Sequence, residues 1–163
     1  MNDLSIRPAC KHDLPALEEI RAKAFAPVFS SFRDLLGDYL YELVQLREDA
    51  AQSEMLASMF AQGSPWLIYA GEVSGNVVGF VAVKMNNTSR VGEIGLNAVH
   101  PDYAGRGIGT AMCEFSLSHM KNSGMLAATV STGGDASHAP ARRAYEKTGF
   151  KKSIPSVWMC REL

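Results

Sequence analysis

Three glycines at alternate positions, Gly105, Gly107 and Gly109, sit in the run Ala98-Val99-His100-Pro101-Asp102-Tyr103-Ala104-Gly105-Arg106-Gly107-Ile108-Gly109-Thr110. Glycine takes positive φ easily and lets a backbone approach a ligand closely. Directly after them, Ile108, Ala111, Met112 and Phe115 recur at helical spacing, which predicts a helix from about Gly107 to Asn122 with Gly124 past its end. The first four N–H groups of a helix lack internal partners and carry partial positive charge. A glycine turn that opens a helix therefore suits an anion, most naturally a phosphate. A P-loop would close with Gly-Lys-Ser/Thr, but Thr110 follows Gly109 with no lysine. A dinucleotide fold wants G-x-G-x-x-G after an early strand; here the spacing is G-x-G-x-G, late in the chain.

The elements that hold this turn follow from periodicity. Ser5 to Pro8 reads as a first strand, and Asp13 as the cap of a helix with Pro15 in its first turn. Leu14, Leu17, Ile20 and Ala24 carry that helix until it fades near Pro27. A second helical region starts near Phe32, is divided at Gly37, and stops at Gln62-Gly63-Ser64-Pro65. Trp66 to Val73 and Val77 to Met85 form a hairpin across Ser74-Gly75-Asn76. The barely alternating run Val77 to Val83 suits a strand buried on both faces. Val91 to Val99, Leu126 to Ser131, and a closing hairpin of Phe150 to Ile154 with Val157 to Arg161 supply the other strands; Ser137 to Thr148 is the last helix. The order β-α-α-β-β-β-α-β-α-β-β implies an α/β fold: a central mixed, mostly antiparallel sheet of about seven strands with helices on both faces.

Residues 1–163 read as one domain, without repeats or a linker-like tract. That length can bury ~70% of the unfolded surface, so no disulfide or metal staple is needed. Sixteen Lys and Arg against seventeen Asp and Glu give a net charge of -1, without the basic excess of a nucleic-acid binder. No apolar run is long enough to span a bilayer, and Met1 to Arg7 lacks the basic start and apolar stretch of a signal peptide. Cys10, Cys113 and Cys160 form no CxxC pair, so no zinc site or disulfide framework is expected, and reduced thiols in a cytoplasm are the simple reading.

Two motifs together resemble the GCN5-related N-acetyltransferases. Ala104-Gly105-Arg106-Gly107-Ile108-Gly109, preceded by Ala98-Val99-His100-Pro101, is similar to that family's pyrophosphate loop, Gln/Arg-x-x-Gly-x-Gly/Ala after a Val-x-Pro-like turn. Downstream, Ala141-Arg142-Arg143-Ala144-Tyr145-Glu146-Lys147-Thr148-Gly149-Phe150 is similar to its A-x-x-L/A-Y-E-K-x-G-F. The element order matches over essentially the whole chain, with residues 27 to 62 alike only in being helical. Two positions depart from the pattern: Ala104 stands where the family usually has Gln or Arg, and His138 where an Asn often holds the pantetheine side.

The resemblance implies acetyl-CoA as cosubstrate and a primary amine as acceptor; no ligand cluster suggests a metal, and no Cys or Ser in an obvious nucleophile–base arrangement suggests an acyl-enzyme, so direct transfer in a ternary complex is expected. The resemblance also implies that the fourth and fifth strands, Val91–Val99 and Leu126–Ser131, splay apart. The pantetheine arm would lie in the gap against the backbone of Ala98 and Val99, an amide near Ala98 would hold the thioester oxygen, and the amides of Gly105, Arg106, Gly107, Ile108, Gly109 and Thr110 would cradle the pyrophosphate. His138 would stand in for the Asn. A lysine-like amine is only about 0.1% neutral near pH 7, so a base is useful; Glu93, four residues before Asn97, is at the family's position for it, with His100 as the other candidate. Tyr145 is at the position of the acid that faces the sulfur.

Other residues admit two readings. Arg106, Arg142 and Arg143 are phosphate contacts or solvated charges, and Thr129 and Ser131 are acceptor-side groups or plain sheet residues. Asp135 or Ser137 caps the last helix, or Asp135 holds a cationic acceptor. The acceptor pocket is expected around Phe25 to Tyr39 and the last strands, with Phe25, Phe29, Phe32 and Trp158 as apolar walls or as core. The acceptor is expected to be a small molecule; a protein or peptide amine and a non-catalytic CoA-binding module are the alternatives. A homodimer is compatible with the sequence.

Overall fold

The computed structural model describes residues 3–163; Met1 and Asn2, where the reading of the N-terminus as no signal peptide begins, lie outside them. Strand β1 (Leu4–Pro8) leads through a turn at Lys11–Asp13 into α1 (Leu14–Val44). Asp13 fastens that entry: its carboxylate accepts from the Cys10 amide at 2.8 Å and from the Arg7 guanidinium, and Pro15 occupies the first turn, where its missing N–H costs little. The helix does not fade at Pro27 but runs through it to Val44. Only Gly37 departs from helical geometry, at φ 74° and ψ 158°, a conformation open to glycine. Helix α2 (Leu46–Ser58) follows, joined to α1 by buried Asp49, which accepts from Tyr41 at 2.7 Å and Gln45 at 2.8 Å.

The sheet comes next. Strands β2 (Trp66–Val73), β3 (Asn76–Asn86) and β4 (Val91–Val99) form an antiparallel meander with β1 at its edge, and β5 (Ala127–Val130) adds to β4 in parallel. The parallel crossover is α3 (Ile108–Asn122), and α4 (Ala139–Lys147) follows β5. The apolar run in β3 serves both faces. Phe80 and Ala82 pack with Leu17 and Ile20 of α1 and Leu56 of α2, while Val81 and Val83 pack with Met112 and Met120 of α3. Each large side chain so buried contributes about 1.5–3 kcal/mol.

Two expectations are corrected. The sheet among the described residues has five strands, not seven, and the element order ends at α4: residues 150–163 form no closing hairpin. Phe150 still packs edge-on against Tyr145, but beyond it Ile154 is 97% and Val157 81% exposed. A two-stranded hairpin is marginal without a surface to bury against, Pro155 removes a ladder donor, and Lys151-Lys152-Ser153 gives the segment no apolar face at its start.

Candidate active site

A cleft of about 650 Å³ lies where β4 and β5 part, within the usual range for a small-molecule site. One end is the glycine turn. Gly105 and Gly107 adopt φ of 74° and 80°, in the left-handed region; Gly109 is helical and sits in the first turn of α3. Gly107 is the N-cap and supplies no side chain, and the first bond into the helix runs from the Ala111 amide to the Gly107 carbonyl at 2.9 Å. The amides of Ile108, Gly109 and Thr110 thus precede the hydrogen-bonded ladder, and all three residues line the cleft. Ala104, Gly105 and Gly107 line it too.

The long wall of the cleft is the second half of β4. Pairing with β5 ends at Ile94 opposite Val130, so Gly95–Val99 has β3 on one side only. A bulge starts the divergence: Ile94 faces Val83 and Asn97 faces Val81, leaving Gly95 and Leu96 together opposite Ala82. Glycine is required at 95, because a Cβ there would collide with the Trp66 ring. Past the bulge, Ala98 lies opposite Phe80 and Val99 opposite Gly79, while the His100 amide donates to the Val78 carbonyl at 2.8 Å. Antiparallel pairs alternate between bonded and non-bonded. The peptide groups of Ala98 and His100 therefore turn toward β3, and those of Asn97 and Val99 turn toward the gap. Ala98 lines the cleft.

Facing β4 is α4. Tyr145 is only 7% exposed, and its hydroxyl accepts from Asn97 Nδ2 at 2.8 Å. Burial pushes the phenol above its ordinary pKa, and the Asn97 donor pulls it part of the way back. Asn97 was not singled out as a site residue in the sequence; the signal was an amide side chain in an otherwise apolar strand end, Ile94 to Val99. Upstream, the loop Gly133–Ala136 is tied down by Arg142, which donates to the carbonyls of Gly133 and Asp135. Asp135 caps the turn into α4 by accepting from the Ser137 amide at 3.0 Å. His138 lines the cleft beside Ser137, with Nδ1 2.6 Å from Asp135 Oδ1.

The remaining candidates lie as follows. Glu93 is on β4 before the bulge, ion-paired to Lys84 at 2.8 Å and outside the set of cleft-lining residues. His100 sits between the Asp102 amide and Lys23 Nζ, 3.2 Å from each. Arg106 donates to the Asp102 carbonyl at 2.8 Å and lies over the Tyr103 ring, whereas Arg143 lines the cleft. Thr129 donates to the Gly92 carbonyl at 3.2 Å. Phe25 lines the cleft with its ring tilted against that of Phe29; Phe32 stacks on His138 with centroids 5.9 Å apart. Trp158 is 61% exposed, in the segment that was expected to form the last strand. Among the described residues no cluster of three His, Cys, Asp or Glu side chains could hold a metal ion, and no helix is long and apolar enough to cross a membrane.

Known proteins resemble this chain in sequence or in fold. A mycothiol acetyltransferase from Streptomyces coelicolor is 31% identical over 124 residues, 64% of this chain and 40% of that protein; the chain spans less than half the length of the curated relatives it matches. Among solved structures, the ribosomal-protein-S18-alanine N-acetyltransferase from Escherichia coli superposes with a TM-score of 0.67 at 22% identity, over 93% of this chain and 79% of that one. A GNAT family acetyltransferase from Brucella melitensis in complex with acetyl-CoA gives 0.65 at 18% identity, over 93% and 85%. The model of the acetyltransferase (GNAT) family matches residues 29–150, a span that holds the glycine turn, the parted strands and α4, and the chain belongs to that family.

Proposed function

We propose that the protein is an N-acetyltransferase that moves the acetyl group of acetyl-CoA directly to a primary amine on a small molecule. One observation carries the reading: the unpaired edge Gly95–Val99 joins the free amides of α3 to buried Tyr145 within a single cleft. Acetyl-CoA, when bound, supplies an activated thioester. The amides at Gly105 to Thr110 offer donors for its diphosphate. The gap-facing peptide groups of Asn97 and Val99 can pair with an extended amide arm as a neighbouring strand would, and the main-chain N–H of Asn97 can donate to the carbonyl oxygen as it gains negative charge. Tyr145, kept protonated by its burial, is the acid for the departing sulfur. Helix α1 lends Lys23, Ala24, Phe25, Pro27 and Val28 to the same cleft. A lid of that kind favours a small acceptor over a protein segment, in keeping with the small-molecule names among the relatives and the fold neighbours.

The test is calorimetry with acetyl-CoA followed by thiol release across amines: α-amino amides, amino sugars including neamine, and peptides beginning with alanine. Micromolar association and release with at least one small amine are expected. Release with peptides alone makes the protein a peptide acetyltransferase. Association without release for any amine makes it a CoA-binding module.

A further inference from the structure

The transfer needs a group that takes the proton the amine sheds, and the cleft holds one built as a dyad. His138 is held by two contacts and is largely buried. Its Nδ1 lies 2.6 Å from Asp135 Oδ1, its ring stacks on Phe32 of α1, and its side chain keeps 19% of its exposure. Asp135 is held in turn by the Ser137 amide at one carboxylate oxygen and by Arg142 at its carbonyl. The loop has been shaped around the pair: a Cβ on Gly133 would collide with both His138 Nδ1 and Asp135 Oδ1. Burial works to raise the Asp135 carboxyl, but hydrogen bonds from Ser137 and His138 outweigh it and hold it below its ordinary value. An ionised carboxylate only accepts, so the ring donates through Nδ1, and in the neutral ring that tautomer puts the lone pair on Nε2. Among the described residues, Nε2 has no protein partner.

We propose that His138, oriented by Asp135, is the general base of the reaction. The proposal rests on the transferase reading above. The amine nitrogen bonds to the acetyl carbon and the carbon–sulfur bond breaks. His138 Nε2 takes the amine's proton, directly or through one water, and Tyr145 gives a proton to the sulfur; exchange with solvent then restores both side chains. The net change is amine plus thioester to amide plus thiol. Tyr145 follows His138, the N-cap of α4, by seven positions, about two turns and about 10 Å along the axis, which leaves room for the thioester and the attacking nitrogen between base and acid. Asp135 is a positioning residue: it fixes the tautomer and stabilises the imidazolium. Glu93 lacks these features, being 44% exposed and paired with Lys84.

The test uses His138→Gly and Asp135→Asn with the amine that the wild-type protein acetylates fastest. His138→Gly is expected to lower kcat about 100-fold while acetyl-CoA affinity by calorimetry stays within about 3-fold. Added imidazoles should restore turnover, more so as their basicity rises, and Asp135→Asn should lower kcat at least about 10-fold without such rescue. Two results overturn the proposal: rescue indifferent to basicity, or a KM for acetyl-CoA that rises while kcat holds, which would make the ring a contact for the pantetheine arm. A wild-type protein that binds acetyl-CoA but acetylates no amine fails earlier, and overturns the transferase reading together with this one.

Discussion

The two walls of the cleft are built from different material. From β4 into α3 the wall offers main chain: the gap-facing peptides of Asn97 and Val99, then the amides at the start of α3. From β5 into α4 it offers side chains: His138, backed by Asp135, and Tyr145. Main-chain donors are present whatever side chain a position bears, provided the backbone can take the required shape. The first wall therefore depends on glycines and not on the side chain at Ala104. The second wall has no such freedom, because each proton must be held by a particular atom. On the proposed function, binding belongs to one wall and proton movement to the other, and substitutions on the two should fall into separate kinetic classes.

Tyr145→Phe should give the largest effect. It removes one hydroxyl from the side-chain wall, so kcat is expected to fall about 100-fold with acetyl-CoA affinity nearly unchanged. The alkaline side of the pH profile checks the assignment. Burial raises the phenol above its ordinary value of 10, so wild-type kcat should hold until pH exceeds 10 and that limb should vanish in the variant. Stability follows the same sign. A pKa raised by folding contributes stability that is complete below pH 10 and is lost as the pH climbs through the folded value. Wild type should lose denaturant resistance above pH 10 more steeply than Tyr145→Phe.

Gly107→Ala attacks the other wall. A side chain at φ 80° costs about 1–2 kcal/mol in the left-handed region, and the turn can relieve it only by moving its amides off target. Acetyl-CoA affinity is expected to weaken by about 10-fold, with kcat at saturation retained. A fall in kcat at saturating acetyl-CoA would mean that this wall also steers the chemistry, and the division between the walls would be gone.

How much of this the sequence carries depends on how local the cause is. Val91 to Val99 and the glycine turn were legible because a strand pattern, a Pro-led turn and a helix start are each set within a few residues. The hydrogen bond from Asn97 to Tyr145 spans 48 residues, and nothing in either neighbourhood announces it. The dyad is a middle case. Asp135 and His138 are three residues apart and visible as a pair, yet what makes the pair rigid is Phe32, which arrives from the other end of the chain. Pro27 misled for the opposite reason: locally it reads as a helix end, but α1 continues through it to Val44, where buried Tyr41 is tied to α2 through Asp49. The C-terminal segment failed the same way, since Val157 to Arg161 has strand propensity and no surface to spend it on.

Ala104→Gln refines the account of the main-chain wall. If the amides already hold the diphosphate, a side chain at this exposed turn adds at most one ordinary hydrogen bond, worth about 0.5–1 kcal/mol net. Calorimetry should find acetyl-CoA bound about 2- to 5-fold more tightly, with kcat unaltered. A much larger gain would show that the turn in the native sequence is a crippled site rather than a sufficient one.

Glu93→Gln should do least, and for that reason it probes the comparison most directly. Glu93 is the one acidic side chain on β4, and a base there would put proton chemistry on the binding wall. Its carboxylate is half exposed and meets Lys84 at 2.8 Å, while Lys84 also lies over the Trp66 ring at 4.6 Å. Exposed pairs of this kind contribute little, being screened by water and salt, and Gln preserves the size of the side chain. Turnover and its pH profile are expected to change by less than about 2-fold if the base is His138. A loss near that of His138→Gly, largest at neutral pH and recovering where the amine is already neutral, would move the base to β4 and join binding and catalysis on a single strand.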